Sequence, residues 1–376
     1  GSPSFVKEFL EGHPHELPRL IRQARKLDKA VNTFIDGQIG NHSHNGRIYT
    51  ELHPLKSDDG GTVSGRLSSS NPNLQQVSGR DPLLTPIIRG LFLPEEGDLW
   101  GALDYSSQEP RITLHYAYLT KQEGAAEAVE QYRRDPNTDY HQMVADICSI
   151  GRKQAKPINL GLPYGMGEAK LCGDLGLPTA WRVKTDNGWQ VRDKPDPILF
   201  GYEIAGAEGK EILEQYHDRL PFMKGIMKTT SNLAQERGYI RTILGRRCRF
   251  DLWEPRKGKG LPIRVEEAEK RAAAGESKWG NVKRAYTHKA LNRLIQGSAA
   301  DQTKKAMVIM YEQEGIVPLL QMHDEICLSV NEEKQWRDAE EIMRTCVQLE
   351  VPSVIDCEFG KTWGEAKVPW NEVVAG

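Results

Sequence analysis

The chain is short of several things that would place it quickly. No apolar run in its 376 residues approaches the roughly 20 that a membrane helix needs, so no membrane partner is expected. No signal-peptide pattern opens it, and Gly1-Ser2 reads as the scar of a removed tag. Its six cysteines (Cys148, Cys172, Cys248, Cys327, Cys346 and Cys357) include no CxxC pair. That spacing excludes a disulfide framework and a zinc site, and favours small buried thiols in a reducing compartment. Internal repeats and low-complexity tracts are absent. So is any excess of one charge: the net value is −2, with 38% apolar and 27% charged residues, as in a globular protein. A balanced total does not exclude nucleic acid, because such an enzyme gathers acids at its centre and bases along a groove. The bases cluster locally, at Arg152-Lys153-Lys156, Arg246-Arg247-Arg249, and Lys283-Arg284 with Lys289 and Arg293.

Periodicity sets out the elements. Residues 5–37 read as helical, broken at Pro14 and Pro18. Residues 38–90, rich in Gly, Ser, Asn and Pro, read as turns and short strands. Residues 91–104 suggest two strands joined at Glu95–Asp98, and 107–175 helices broken at Asp135-Pro136 and Pro157. Residues 181–192 alternate around Asp186-Asn187-Gly188, a hairpin signal. Long helices are expected over 207–238 and 264–310, with a flexible basic link at 256–260. The end of the chain reads as a strand-like stretch at 319–330, a helix at 332–348 and a strand near 351–358.

Four segments carry chemistry. LDYSSQEPRITLHYA (103–117) ends an apolar strand on Asp104 and turns into a helix bearing Glu109 and Arg111. MHDEICLSV (322–330) places His323, Asp324 and Glu325 at a strand turn. Acids among apolar strand residues are costly unless paired or metal-bound. One or two carboxylates plus substrate phosphates are a typical magnesium arrangement, and two ions would steady both the attacking and the leaving oxygen. Either aspartate alone is more often a cap or turn residue. In RKQAKPINLGLPYGMG (152–167), Arg152, Lys156, Leu160 and Tyr164 recur every four residues, near one helical face. Two cations followed by an apolar and an aromatic residue suit a triphosphate, then a sugar and base; a solvated basic face is the plainer alternative. TVSGRLSSSNPNLQQV (62–77) offers small residues for close backbone approach, and Arg66, Asn73, Gln75 and Gln76 as donors for phosphates and groove edges. By itself it is also an ordinary polar loop.

Together these segments resemble family A, the DNA polymerase I-like DNA polymerases. TVSGRLSSSNPNLQ matches closely, DYSSQEPR is similar to the family's DYSQIELR, and 152–167 to its R-x-x-x-K-x-x-N-F-G-x-x-Y-G helix. HDE at 323–325 corresponds to its last catalytic motif, and TILGRR (242–247) and LNRLIQGSAAD (291–301) lie in family order between them. The resemblance runs from about residue 20 to the C-terminus.

It implies an α+β right-hand polymerase fold, with an antiparallel palm sheet, helical fingers and a truncated thumb. The expected division is 1–45 residual thumb, 46–115 palm, 116–288 fingers with inserts near 177–206 and 253–278, and 289–376 second part of the palm. The short segment before the palm leaves no room for a proofreading domain, so the chain reads as a piece of a longer, viral protein. The implied activity is template-directed addition of deoxynucleotides to a primer, with release of pyrophosphate. Other readings are a single-subunit RNA polymerase, which Glu109 and TVSGRLSS oppose, and a primer–template binding fragment that is inactive without its thumb. Expected partners are primer–template DNA, deoxynucleoside triphosphates and replication accessory proteins. The expected state is a monomer in bacterial or infected-cell cytoplasm, with an organelle as the alternative.

By the same resemblance Asp104 and Asp324, with the carbonyl of Tyr105, hold two Mg2+ ions, and Glu325 supports them. Arg152, Lys156 and His141 match triphosphate contacts, with Lys156 as proton donor to the departing pyrophosphate. Glu109, bonded to Tyr164, matches the residue that excludes a 2′-hydroxyl, and Tyr164 lies where the template base is received. Arg66, Asn73, Gln75, Asn292, Gln296 and His323 match positions that test pair shape in the minor groove, whose acceptor pattern is degenerate. Departures are Ser107 for the usual Gln, Leu160 for the aromatic that packs on the sugar, and Pro157 and Pro163 within the helix. The leucine is expected to pack on the sugar, without a ring edge to sense a 3′-hydroxyl. In the 177–206 insert, Trp181 and Trp189 are expected either to pack on the fingers or to stack on single-stranded template.

Overall fold

The computed structural model describes residues 6–55, 62–77, 79, 81–162, 165–258 and 260–375. The chain forms two compact units. The first comprises Gly1–Tyr105, Thr303–Met343 and Ile355–Gly376; the second comprises Ser106–Gln302 and Arg344–Val354.

The first unit is organised on a four-stranded sheet. Leu99–Tyr105 lies between Glu325–Val330 and Ile355–Gly360, and Leu320–Met322 forms the far edge; every pairing is antiparallel. Both faces of the central strand are covered, so LWGALDY is apolar nearly throughout. On one face Trp100 and Ala102 pack with Leu74, Ile88, Cys327 and Trp363, and Trp100 stacks on Trp363 at 5.7 Å. On the other, Leu103, Ile326 and Leu328 are fully buried, worth about 1.5–3 kcal/mol each. There Phe359 meets Trp336 of the helix Glu333–Thr345 at 5.1 Å, and the Tyr105 hydroxyl donates to the Met343 carbonyl at 2.8 Å.

The second unit is mainly helical. Ile112, Val129, Tyr132, Val144, Ile158, Leu171, Tyr216 and Ile226 form its core. Its helices include Gln108–Leu119, Ala125–Arg134, Tyr140–Cys148 and Arg152–Gly161. The expected hairpin is Thr179–Thr185 paired with Gly188–Arg192, and Gly201–Ala205 adds a third strand that the sequence reading did not find. No described helix is long and apolar enough to cross a membrane.

Several local expectations are corrected. Pro18 does not interrupt Glu16–Lys29: it sits in the first turn, where an N–H has no helical acceptor anyway. Residues 91–98 form a turn rather than a strand. Pro157 lies inside Arg152–Gly161 without ending it. The carbonyl it leaves without a donor is that of Lys153, an exposed residue whose carbonyl water can reach. Residues 264–310 are not one helix. Val265–Ala273 stops before Gly275, whose φ of +89° suits glycine; a short 3-10 turn and a strand follow, and Ala290–Glu314 then runs on.

Gly101 has no room for a side chain. A Cβ there would lie 2.9 Å from Val330 Cγ2 and 3.2 Å from Phe359 Cε1. Gly101→Ala should therefore lower stability by about 1–3 kcal/mol, read as a drop in thermal midpoint; an unchanged midpoint would contradict the packing described.

Candidate active site

Strand register gathers the acids of the first unit. Asp104 stands opposite Glu325 on one side and opposite Asp356 on the other, so three carboxylates share a row and a face. Glu358 lies two residues along on the same face, opposite Ala102. Asp324 occupies the two-residue turn between Leu320–Met322 and Glu325–Val330. The other turn residue, His323, holds φ at +60°, a left-handed conformation that costs a non-glycine residue about 1–2 kcal/mol.

Burial and repulsion act together on this group. Burial, then the charges of Asp324, Glu325, Asp356 and Glu358, push Asp104 up to about 8. Burial also raises Asp324, against the charges of Arg66 and His323. Asp104 Oδ1 is buried without a hydrogen-bond partner. Asp104, Glu325, Asp356 and Glu358 open on a cavity of about 490 Å3 that Lys367 also lines.

The supporting contacts come from residues the sequence reading passed over. The Trp363 indole donates to Glu325 Oε1 at 3.1 Å, and the Cys327 thiol to the same oxygen at 3.0 Å. The Arg89 guanidinium covers Trp363 at 4.0 Å. Buried Gln321 donates to the His323 carbonyl at 2.5 Å and accepts from Gln75 at 3.2 Å. That links an expected groove residue to the turn holding Asp324. Asp356 and Glu358 alternate with apolar residues in IDCEFG, and that period of two was the signal available for them.

Among the described residues, no group of three or more His, Cys, Asp or Glu side chains is arranged to enclose a metal ion. The donor chemistry nevertheless suits a hard divalent cation. Asp104 and Asp324 offer carboxylate oxygens, one of them orphaned, and magnesium takes its remaining ligands from water and phosphate.

The expected nucleotide-contacting residues, with Asn292 and Gln296, stand in the second unit. Arg152 donates to the Asp139 carboxylate at 2.8 Å through Nε. Asp139 in turn caps Tyr140–Cys148, accepting from the His141 and Gln142 amides. Burial, with Lys156 and Arg152, lowers His141, while Asp139 opposes the shift. The His141 ring meets Asn159 at 3.1 Å. His141, Arg152 and Lys156 are thus one local group, and Asp139 is a member the sequence did not announce. Glu109 is half-buried in the first turn of Gln108–Leu119. Two residues on, Arg111 fixes that turn, donating to the carbonyls of Ser106, Pro136 and Pro352 at 2.8, 2.7 and 2.6 Å. Asn292 and Gln296 are half-buried, one turn apart on Ala290–Glu314. In the first unit, Arg66, Asn73 and Gln75 are half-buried and His323 is exposed. Tyr164 and Pro163, and the side chain of Leu160, lie outside the described residues.

The charge state of Asp104 has a measurable consequence. Ionising it is harder in the folded chain, so its stabilising share is intact below its ordinary value of 3.8 and is lost as pH rises through about 8. With divalent ions chelated, the thermal midpoint should fall from about pH 5 to about pH 8. Asp104→Asn should exceed the parent by a wide margin at the higher pH and by a narrower one at the lower, the two converging only below 3.8. Parallel pH profiles would refute the assignment.

The family model described as DNA polymerase family A matches residues 3–365. A DNA-directed DNA polymerase of Pseudomonas phage M6 is 42% identical over 388 residues, 97% of this chain and 54% of that protein. The thermostable DNA polymerase I of Thermus aquaticus is 31% identical over 378 residues, 97% of this chain and 38% of that one. The chain therefore spans about half, or less, of these relatives' length. Its fold is similar to the POL domain of Pol1 from M. smegmatis, solved in complex with DNA primer-template and dNTP. The TM-score is 0.70 at 24% identity, over 97% of this chain and 56% of that one. On the family match and the phage relative, the chain belongs to DNA polymerase family A.

Proposed function

We propose that this chain extends a DNA primer on a template, joining the 3′-hydroxyl to the α-phosphate of a deoxynucleoside triphosphate and releasing pyrophosphate. The observation that carries this is the carboxylate row of Asp104, Glu325 and Asp356, with Asp324 in the adjoining turn, in a chain of this family. Residues 46–115 and 289–376 are assigned to the palm, 116–288 to the fingers, and the helical residues before 46 to the thumb.

Asp104 and Asp324, with the Tyr105 carbonyl, would hold two Mg2+ ions, which supply a more nucleophilic primer oxygen and neutralise charge on the leaving group. Glu325, held by Trp363 and Cys327, presents its carboxyl group beside that pair. Arg152, Lys156 and His141 hold the triphosphate; Arg152 exchanges Asp139 for phosphate, a charge-assisted partner of the same kind. Lys156 delivers a proton to the bridging oxygen of the departing pyrophosphate. Glu109, with Tyr164, closes the space beside C2′, and Leu160 packs on the sugar. Arg66, Asn73, Gln75, Asn292, Gln296 and His323 line the minor groove of the primer–template. The work is positioning and charge stabilisation, which suits phosphoryl-type transfer. Accessory proteins, the monomeric state and a cytoplasmic location belong to the same reading.

Primer extension with magnesium tests it, with deoxy- and ribonucleotides in parallel. Asp104→Ala and Asp324→Ala should each reduce extension by at least about a thousandfold while circular dichroism is unchanged. Near-parental extension by either variant would overturn the metal assignment. Glu109→Ala should raise ribonucleotide use roughly ten- to two-hundredfold in single-turnover assays, and unchanged discrimination would remove Glu109 from that role.

A further inference from the structure

The sheet within residues 177–206 has one face that the polymerisation reading does not use. Its order is Gly188–Arg192, Thr179–Thr185, Gly201–Ala205. Arg182 is flanked by Val191 and Tyr202, and Lys184 stands opposite Trp189. Side chains alternate between faces along a strand, so these five share one face. All five are exposed, and among the described residues of the three strands no carboxylate shares their face; Asp186 and Asp193 lie just beyond the strand ends. The opposite face carries Val183, fully buried, with half-buried Trp181 and exposed Glu203. The two tryptophans thus lie on opposite faces, Trp181 on the side of buried Val183 and Trp189 on the exposed side.

On the exposed face the rings are grouped. Trp189 and Tyr202 lie 5.6 Å apart, Phe200 is 6.2 Å from Trp189, and the Arg182 guanidinium stands 5.6 Å from the Trp189 ring. Exposed aromatic area of this kind marks a binding surface rather than packing. Two cations without an acid select a polyanion, and grouped rings select a ligand that presents its own flat faces. Duplex DNA hides its base faces by stacking them; a single strand offers them, and base–aromatic stacking with backbone cations is the usual way to hold one.

We propose that this face binds single-stranded DNA, with bases on Trp189 and Tyr202 and phosphates at Arg182 and Lys184. The strand that would occupy it is the unpaired template; that identification rests on the proposed function, whereas the binding face does not.

Fluorescence anisotropy with a labelled oligothymidine tests the face directly. Trp189→Ala should weaken binding roughly tenfold, and Trp189→Phe should restore most of it. Arg182→Ala with Lys184→Ala should also lower the slope of log affinity against log salt by about 1.4. Equal oligothymidine affinity and salt slope in the parent and in the triple variant that combines Trp189→Ala, Arg182→Ala and Lys184→Ala, at matched thermal midpoints, overturn the proposal and leave the face to a protein partner. Weaker binding by the triple variant, in a protein that extends no primer, supports the face and removes the polymerase reading. If extension is intact, the variants should lose efficiency on a long template overhang and keep it on a one-nucleotide overhang; equal loss on both would overturn the template identification.

Discussion

Like charge held in a low-dielectric sheet is the constraint on which the first unit is built. Asp104 faces Glu325 across one strand pair and Asp356 across the other. Like charges directly opposite one another weaken a sheet, and burial adds to the repulsion. The arrangement persists because both sheet faces are filled with large apolar groups. Trp100, Trp363 and Ile88 lie on one side, and Leu103, Phe359 and Trp336 on the other. Trp363 has two parts in this: its ring stacks on Trp100 while its N–H holds Glu325. The packing that stabilises the sheet therefore also aims a carboxylate. A bound cation would turn the repulsion into attraction, so the site is stable in proportion to the charge it receives.

In the second unit the charges are reversed and the means differ. His141, Arg152 and Lys156 gather where two helices begin near each other. Asp139 caps one of those helices and accepts from Arg152, the first residue of the other. Asp139 thus keeps the guanidinium oriented rather than freely solvated, which in the proposed function would lower the entropy lost on taking a phosphate. Arg111 provides fixed support nearby: its three carbonyl bonds tie down the turn from which Glu109 projects.

Acids flanked by strand-forming apolar residues marked Asp104 and Asp324 only as candidates, each more often a cap or turn residue by itself; it was the resemblance of their segments to one family that paired them. Asp356 and Glu358 carry the same alternation but join the group only through register, which pairs Asp356 with a strand far back in the chain. Gln321 looks like any polar residue, and its value lies in bonding the His323 carbonyl and Gln75. The Asn187-Gly188 hairpin was readable because turn chemistry is local. The third strand, GYEIA, has no such signal and is set by its partner. Pro18 and Pro157 misled for opposite reasons. One lies where its missing donor does not matter, and the other where the acceptor it leaves is open to water. The segment 264–310 misled because EAEKRAAA favours helix without saying where it stops, and Gly275 decides that.

The central strand Leu99–Tyr105 also bears on the order in which the chain can fold. Its first partner, Glu325–Val330, comes some 220 residues later in sequence, and Ile355–Gly360 some 250. At ribosomal speed that is on the order of ten to forty seconds during which a nearly uncharged strand has nothing to pair with. The second unit draws most of its core from one continuous stretch, and it can close while the first is still waiting. In that interval Asp104, one residue before the strand's end, keeps a formal charge near the tip of an otherwise sticky segment, and such charges discourage strands of neighbouring chains from pairing with it. That charge is present on the growing chain before Glu325 and Asp356 have been made.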